Sequence, residues 1–277
     1  DDLPIAIGAF VADGAIRPDV LGRAVEERGF ESLFVTEHSH IPVSRESPFP
    51  MGGPMPDYYA RLLNPFVALT AAAVVTSRIT LGTGIALLTQ RDVIYTAKEV
   101  ASLDVVSGGR VLFGVAPGWN KEQMRNHGTD PRTRGALLDE QLQALRVIWT
   151  EDEAEFHGTF VDFDPIWSWP KPVQNPLPLY VGGWGPAAAT RVRAYGDGWL
   201  HGGAMDPDGV KAQFEMRAEY APDAPMSVFG AGGDDLAVLD AYRDGGAERV
   251  AVILEPASES DSLARLDELA GLVQRYS

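Results

Sequence analysis

The stretch Arg78–Pro117, RITLGTGIALLTQRDVIYTAKEVASLDVVSGGRVLFGVAP, decides the fold. It opens on a short apolar, β-branched run, Ile79–Gly84. It then passes through a helical stretch, Asp92–Ser107, and ends on a second apolar run, Val111–Val115. Neither run alternates with polar residues, so each reads as a strand covered on both faces. That is the pattern of a parallel sheet whose crossovers are helices.

The same rhythm continues on both sides. Upstream lie a strand Ile5–Phe10, a helix Arg17–Gly29 entered at Pro18 and closed by Gly29, a strand Ser32–Thr36 and an Ala/Val-rich helix Pro65–Ser77. Downstream, Arg134–Thr150 carries Leu137, Leu138, Leu142, Leu145 and Ile148 at helical spacing. Four further pairs follow: Pro178–Val181 with Pro186–Tyr195, Gly198–His201 with Pro207–Tyr220, Met226–Gly230 with Asp234–Gly245, and Arg249–Leu254 with Ser260–Tyr276. Eight βα units without a break in composition predict an α/β fold, a (β/α)8 TIM barrel, as one domain over residues 1–277. A barrel of this kind needs about 250 residues.

Two connections exceed simple turns. Glu37–Asn64 follows the second strand, is rich in Pro and Gly, and carries Phe49, Tyr58 and Tyr59. It leaves the C-terminal end of the strand, where barrel active sites lie, and reads as a pocket wall or lid. Asp152–Pro176 precedes the fifth strand. It holds a hairpin, AEFHGTFVDFD, and then PIWSWPKPVQ, too rich in Pro and Trp for regular structure.

The charge balance narrows the partners. With 39 Asp and Glu against 23 Lys and Arg, the net charge is −16. Nucleic acid and anionic membrane surfaces are poor partners for such a surface. An anionic cofactor must be held by local N–H groups and a few cations, because the overall field repels it. The absence of Cys excludes disulfides, thiolate metal sites and cysteine nucleophiles, and fits a cytoplasmic setting. No signal peptide or membrane-length apolar run is apparent, and the chain, beginning without Met, reads as trimmed.

The chemistry is expected where the strands end. The second strand runs into TEHSHIP, which places His38 and His40 beside Glu37; a His there can exchange a proton near neutral pH. The third strand ends in GTGIALLTQRD, whose glycines permit close backbone approach by a flat ring. The fourth ends in GVAPGWNKEQMRNHG. There Gly118 allows close approach, Trp119, Asn120 and Glu122 are placed to contact a ligand, and Lys121 and Arg125 add positive charge. After the fifth strand, VGGWGPAAATRV runs glycines straight into a helix. Free N–H groups at the helix start, with the dipole behind them, make an anion site. Arg191 and Arg193 lie one to two turns further in. His201 ends the sixth strand. With His38 and His40 it raises a rival reading, a metal-dependent barrel hydrolase. Against it, such enzymes carry the His pair on the first strand and a late-strand Asp, whereas the eighth strand here ends in Leu254, Glu255 and Pro256.

The segments SLFVTEHSHIPV, RITLGTGIALLTQRD, AKEVASLDVVSGGRVLFGVAPGWNKEQMRNHG, FDPIWSWPKPVQ and LYVGGWGPAAATRVRAYGDGWL resemble the luciferase-like monooxygenase superfamily. The likeness is densest to its actinobacterial branch dependent on the deazaflavin coenzyme F-420. It runs from about Ile5 to Gly202 and fades from Met205. The resemblance implies that His38 stands beside the reactive centre of the ring, and that Gly84–Ile85 is a non-prolyl cis peptide in a bulge behind it. It further implies that Gly118 and Trp119 line the cofactor, and that Gly182, Gly183, Trp184 and Gly185 form the phosphate turn. Pro42 stands where sugar-phosphate dehydrogenases of the superfamily carry a Trp. Trp119 or Asn120 stands where they carry a Glu, which leaves Glu122 as the stand-in. Glucose 6-phosphate is therefore not the expected substrate, and the chain lacks the late insertion of bacterial luciferase.

The expected activity is hydride transfer between coenzyme F-420 and a small organic substrate, with His38 and Glu122 as acid/base candidates. An FMN-dependent monooxygenase is the alternative, and a non-catalytic flavin-binding barrel a further one. The expected partners are a small-molecule substrate, a second copy in a homodimer, and a separate flavin or deazaflavin reductase supplying reduced cofactor. No metal is expected.

Overall fold

The computed structural model describes residues 2–231, 233 and 235–277. In chain order its strands are β1 (Ile5–Ala9), β2 (Ser32–Val35), β3 (Thr80–Thr83), β4 (Ala86–Leu87), β5 (Val111–Ala116), β6 (Ala154–His157), β7 (Asp162–Ile166), β8 (Leu179–Gly182), β9 (Gly198–Gly202), β10 (Met226–Ala231) and β11 (Arg249–Leu254). Its helices are α1 (Pro18–Glu27), α2 (Pro65–Ala73), α3 (Val93–Ser107), α4 (Lys121–Asn126), α5 (Arg134–Thr150), α6 (Gly185–Tyr195), α7 (Pro207–Tyr220), α8 (Leu236–Gly245) and α9 (Glu259–Tyr276).

Parallel pairing runs β3-β2-β1-β11-β10-β9-β8-β5 and closes through β3–β5, so these described strands form the (β/α)8 barrel that the alternation predicts. The short β4 carries the chain on past Gly84–Ile85 and pairs with β5. The expected hairpin before the fifth barrel strand is present as β6–β7, antiparallel and outside the barrel. Its second strand reaches Ile166, two residues into the segment read as irregular. The Glu140 carboxylate on α5 clamps the turn, accepting N–H bonds from Thr159, Phe160 and Val161 at 2.6, 2.6 and 2.8 Å.

The strand faces explain the two-layer core. One set of side chains points outward and packs under the helices, Ile7, Leu33, Leu81, Phe113 and Trp199 among them. The other fills the barrel interior: Ala6, Phe34, Leu112, Tyr180, Leu200 and Ala251, with Ile85 and Phe229 packed against them. At the N-terminal end of the strands Arg249, nearly buried, gathers Glu31 (2.9 Å), Glu248 (3.0 Å) and the Ser227 hydroxyl (2.8 Å). The Tyr180 hydroxyl donates to Glu248 at 2.7 Å. This network floors the barrel.

Element ends depart from expectation for identifiable reasons. The helix expected over Pro65–Ser77 stops at Ala73. Glu26 accepts the N–H groups of Ser77, Arg78 and Ile79 at 3.0, 2.7 and 3.0 Å, while Arg110 takes the carbonyls of Ala73 and Thr76. Those bonds draw the chain out of the helix toward β3. The short α4 was not foreseen; Asn120 caps it by accepting from Gln123 N at 2.9 Å. The expected start of α8, Asp234, lies outside the described residues, and Asp235 caps the helix there. Among the described residues no helix is long and apolar enough to cross a membrane.

Candidate functional site at the C-terminal rim

The candidate residues converge on the C-terminal rim. Glu37, two residues past the end of β2, is buried. Its carboxylate accepts Leu87 N at 2.8 Å and Arg91 Nε at 2.9 Å, and Arg91 reaches on to Glu99 at 3.3 Å. Burial disfavours the Arg91 cation, but its bonds to Glu37 outweigh this and raise its pKa. The ion pair ties the start of the long loop to β4 and α3, and so fixes the backbone that carries His38.

His38 is largely enclosed, and the orientation of its imidazole follows from Gln123. The Gln123 amide nitrogen donates to the His40 carbonyl, and its oxygen accepts from Gln90 Nε2 at 3.3 Å. That oxygen also lies 3.2 Å from His38 Nδ1, so Nδ1 carries the hydrogen and Nε2 keeps its lone pair. Burial lowers the His38 pKa below its ordinary value, against the smaller opposing pull of Gln123 and Glu37. The ring is therefore a neutral acceptor at physiological pH. It borders a cavity of about 330 Å³ that Asn64, Gln90 and Arg91 also line.

On its other flank His38 meets an aromatic wall. Tyr59 lies 5.3 Å away between centroids and Trp119 6.0 Å. Phe49 touches both, while Tyr58 stacks on Tyr59 at 5.4 Å. Phe10, after β1, joins this wall to Phe229 on β10. Burial pushes the Tyr59 hydroxyl up to about 12, so it stays protonated. The long loop is thus an ordered wall, as its aromatics suggest.

The Gly84–Ile85 peptide is cis, as the resemblance implies. A Cβ at Gly84 would lie 2.5 Å from the Phe229 ring, so only glycine fits. Ile85 sits against Gly182, where an added Cβ would be 3.3 Å from Ile85 Cγ2. The bulge and the glycine turn expected to hold phosphate are therefore neighbours. Gly183 has φ +118 and Gly185 φ +81, and α6 begins at Gly185 with Pro186 in its first turn. The Trp184 side chain is 67% exposed and lies edge-on to His201 at 4.6 Å. His201 is buried, its pKa is lowered by burial, and its Nδ1 bonds the Gly202 carbonyl at 2.9 Å.

Three candidates have structural partners that the sequence does not reveal. Both Glu122 oxygens are engaged by Ser47, from N at 2.6 Å and Oγ at 2.5 Å, which pins the long loop to α4. Burial would raise the Glu122 pKa, but the Ser47 bonds outweigh it and hold it low. Asn120 is buried, with its oxygen occupied by the cap. His40 bonds Ser39 (2.9 Å) and Asn126 (3.0 Å), and Ser39 also bonds His127 (2.7 Å). Among the described residues no group of three or more His, Cys, Asp or Glu is placed to hold a metal ion. Sequence reasoning missed Gln123, Gln90, Arg91, Phe10 and Phe229. A signal for α4 and Gln123 existed in Asn120-Lys121-Glu122-Gln123, which has the spacing of a capping box.

Comparison with known proteins places the chain in a family and the barrel among solved folds. The family model for luciferase-like monooxygenases matches residues 20–270. A Mycobacterium tuberculosis protein, Rv0953c, is 44% identical over 195 residues, covering 69% of each chain. The FMNH2-dependent dimethylsulfone monooxygenase of Pseudomonas putida is 33% identical over 60% of this chain and 45% of its own. The F420-dependent hydroxymycolic acid dehydrogenase of M. tuberculosis is 27% identical over 85% of this chain and 65% of its own. Among solved structures, the monooxygenase RslO1 of Streptomyces bottropensis superposes with a TM-score of 0.80 at 17% identity, covering 99% of this chain and all of its own. The F420-dependent tetrahydromethanopterin reductase of Methanopyrus kandleri gives 0.75 at 17% identity, covering both chains fully.

Proposed function

The chain belongs to the luciferase-like monooxygenase family, and on that footing we propose that it is an oxidoreductase that uses the deazaflavin coenzyme F-420 to move a hydride to or from a small organic substrate. The observation that carries the reading is the neutral His38 ring. Its Nε2 is left free beside an aromatic wall, at the barrel end where the cis bulge meets the glycine turn. The family's known cofactors divide between deazaflavin and flavin. The F420-dependent relative aligns over more of this chain than the FMN-dependent one.

The residues fit a ring with a phosphate-bearing chain. Between Gly182 and Gly185 no side chain but that of the outward Trp184 stands in the way, and the first N–H groups of α6 are free to face an anion. Ile85 and Phe229 give an apolar backing at the rim. When bound, such a ring accepts or donates the hydride. His38 Nε2 takes the proton from a substrate hydroxyl, or returns it to a carbonyl oxygen in the reverse direction. Gln123 holds the tautomer that makes this acceptance available. Tyr58, Tyr59, Phe49 and Trp119 keep water from the reacting atoms and select substrates with apolar bodies. A separate reductase or dehydrogenase would cycle the cofactor.

An FMN-dependent monooxygenase fed by a flavin reductase is the second reading, favoured by the 33% identity to the P. putida enzyme. Fluorescence titration of the purified protein with coenzyme F-420 and with FMN separates the two. Micromolar or tighter binding of F-420, with FMN weaker, is expected; tighter binding of FMN transfers the assignment to the monooxygenase.

A further inference from the structure

The aromatic wall beside His38 is built as a set of corners. Phe49 is inclined 79° to Tyr59 and 64° to Trp119, and Phe10 is inclined 60° to Tyr58 and 49° to Tyr59. Within this group Tyr58 and Tyr59 alone are stacked, at 20°. All these rings are half-buried, so each keeps surface open to a guest. Rings that adjoin at steep angles offer their faces to a group seated in the corner, and the face is the negative part of an aromatic ring.

A carboxylate completes the setting. The Phe10 N–H donates to the Leu254 carbonyl at 3.1 Å, which brings the next residue, Glu255, to the rim beside Phe10. Burial raises the Tyr58 and Tyr59 hydroxyls, and the Glu255 charge adds to the rise in both. Glu255 is exposed, and among the described residues it has no ion pair. The cations of the long loop are engaged elsewhere. Arg61 is held by Asp13 at 2.8 Å, and Arg45 donates to the carbonyls of Pro42, Val43 and Ser44. Lys121 and Arg125 line a separate recess that no residue of the wall borders. The wall thus combines negative ring faces with an uncompensated carboxylate. A wall meant only to repel water needs neither, since aliphatic side chains would serve as well.

We propose that this wall seats a positively charged group of the substrate, a quaternary ammonium carried on an apolar body. The polar atoms of the wall are two protonated Tyr hydroxyls and the Trp119 N–H, too few to replace the water around a primary ammonium. A methylated cation holds its water weakly and loses less on entry. With the charge against Tyr59, 5.3 Å from the His38 ring, the hydroxyl or carbonyl that His38 serves lies a few bonds away. The net charge of −16 draws such a molecule in. That the cation belongs to a substrate rests on the hydride transfer proposed above; its binding does not.

Calorimetric titration of the whole protein with choline and with 3,3-dimethylbutan-1-ol, in which carbon replaces the charged nitrogen, tests it. Choline is expected to bind about tenfold more tightly than its neutral isostere, and to weaken as salt is raised. Tyr59→Leu, which keeps an apolar wall, should weaken choline about tenfold, whereas Tyr59→Phe, which keeps the ring face, should hold it within about twofold. Glu255→Gln should weaken choline about threefold at unchanged melting temperature, because the carboxylate is exposed. Glu219→Gln, exposed on α7, should change nothing. Failure of choline to bind, equal affinity for the two probes, or undiminished choline binding by folded Tyr59→Leu overturns the proposal. Neither probe contains a flavin-like ring, so the F-420 titration stays a separate readout. F-420 binding without choline binding strikes the cation seat alone. Choline binding without F-420 binding keeps the seat and strikes the deazaflavin reading.

Discussion

Gln123 accepts from the Nδ1–H of His38 at 3.2 Å, and this one contact decides which ring nitrogen is left for chemistry. Gln123 is fully buried, so water does not compete for its oxygen. Its own orientation is set by the His40 carbonyl, two residues along the chain from the ring it steers.

His38→Ala should lower turnover roughly 10²–10⁴-fold if Nε2 moves a proton in the rate-limiting chemistry. Cofactor affinity should change far less if the phosphate is held, as proposed, at α6. Single-turnover absorbance with F-420, paired with a fluorescence titration, reads both. Near-parental turnover in the variant would reduce His38 to a member of the pocket wall.

The acid limb of the rate profile should have its midpoint below 6.5, since burial lowers the His38 pKa and only the neutral ring accepts a proton. Gln123→Glu should move that limb upward, because a carboxylate beside Nδ1 favours the imidazolium. A limb centred above 6.5 in the parent would contradict a buried neutral base. Stability follows the same direction. His38 and His201 both titrate lower in the fold than in the open chain, because of burial. The unfolded chain then binds more protons between their lowered values and 6.5, so the stability present above 6.5 is lost as pH falls through that window. Exposed His157, raised by its bonds to Glu155 and Asp162, contributes in the opposite direction from the surface. Melting temperatures between pH 7.5 and 5 measure the balance, with a net fall on acidification expected.

For the phosphate turn, Gly183 is a poor place to substitute. Its φ of +118 would strain any side chain, so lost binding could not be told from lost folding. Ala187, exposed in the first turn of α6, is the better position. Ala187→Asp places a negative charge where the helix dipole favours it, so the ligand-free melting temperature should hold or rise slightly. The same charge repels a phosphate a few ångströms away by about 1–3 kcal/mol, roughly ten- to a hundredfold in affinity. Unchanged cofactor affinity would locate the phosphate elsewhere.

Arg249→Leu should destabilise the protein by about 3 kcal/mol, because Glu31 and Glu248 are left partly buried without their cation. For a chain of this size that is a fall of about 5–10 °C in melting temperature. Turnover at 25 °C should be nearly unchanged, since the network lies at the opposite end of the barrel from His38. A shift below 2 °C would mean that water already screens these carboxylates.

The barrel was legible in the sequence because each βα unit announces itself locally, by an apolar run followed by helical spacing. The candidate site was legible where a single segment carries it, as in Thr36–Pro42 and Leu179–Ala189. It was not legible where the site joins residues far apart in the chain. Phe229 meets Gly8 and Gly84 across the barrel, and Gln123 meets His38 across 85 positions. Ser47 occupies Glu122 from within a loop whose path no periodicity dictates. The helix end at Ala73 was missed for the same reason: Glu26, fifty residues earlier, takes the N–H groups that would have continued the chain's turn.

The Arg249 network and the filled interior above it close one end of the barrel, which leaves a vessel with one mouth. Ligands stacked in it must queue. Whatever settles deeper, against Ile85 and Gly182, is first in and last out, and whatever lies above it under the Tyr59 wall leaves before it. If the proposed cofactor rests against Ile85 and Gly182 and the substrate under the Tyr59 wall, the two should exchange in a fixed order rather than at random, and an excess of the upper ligand should slow departure of the lower one.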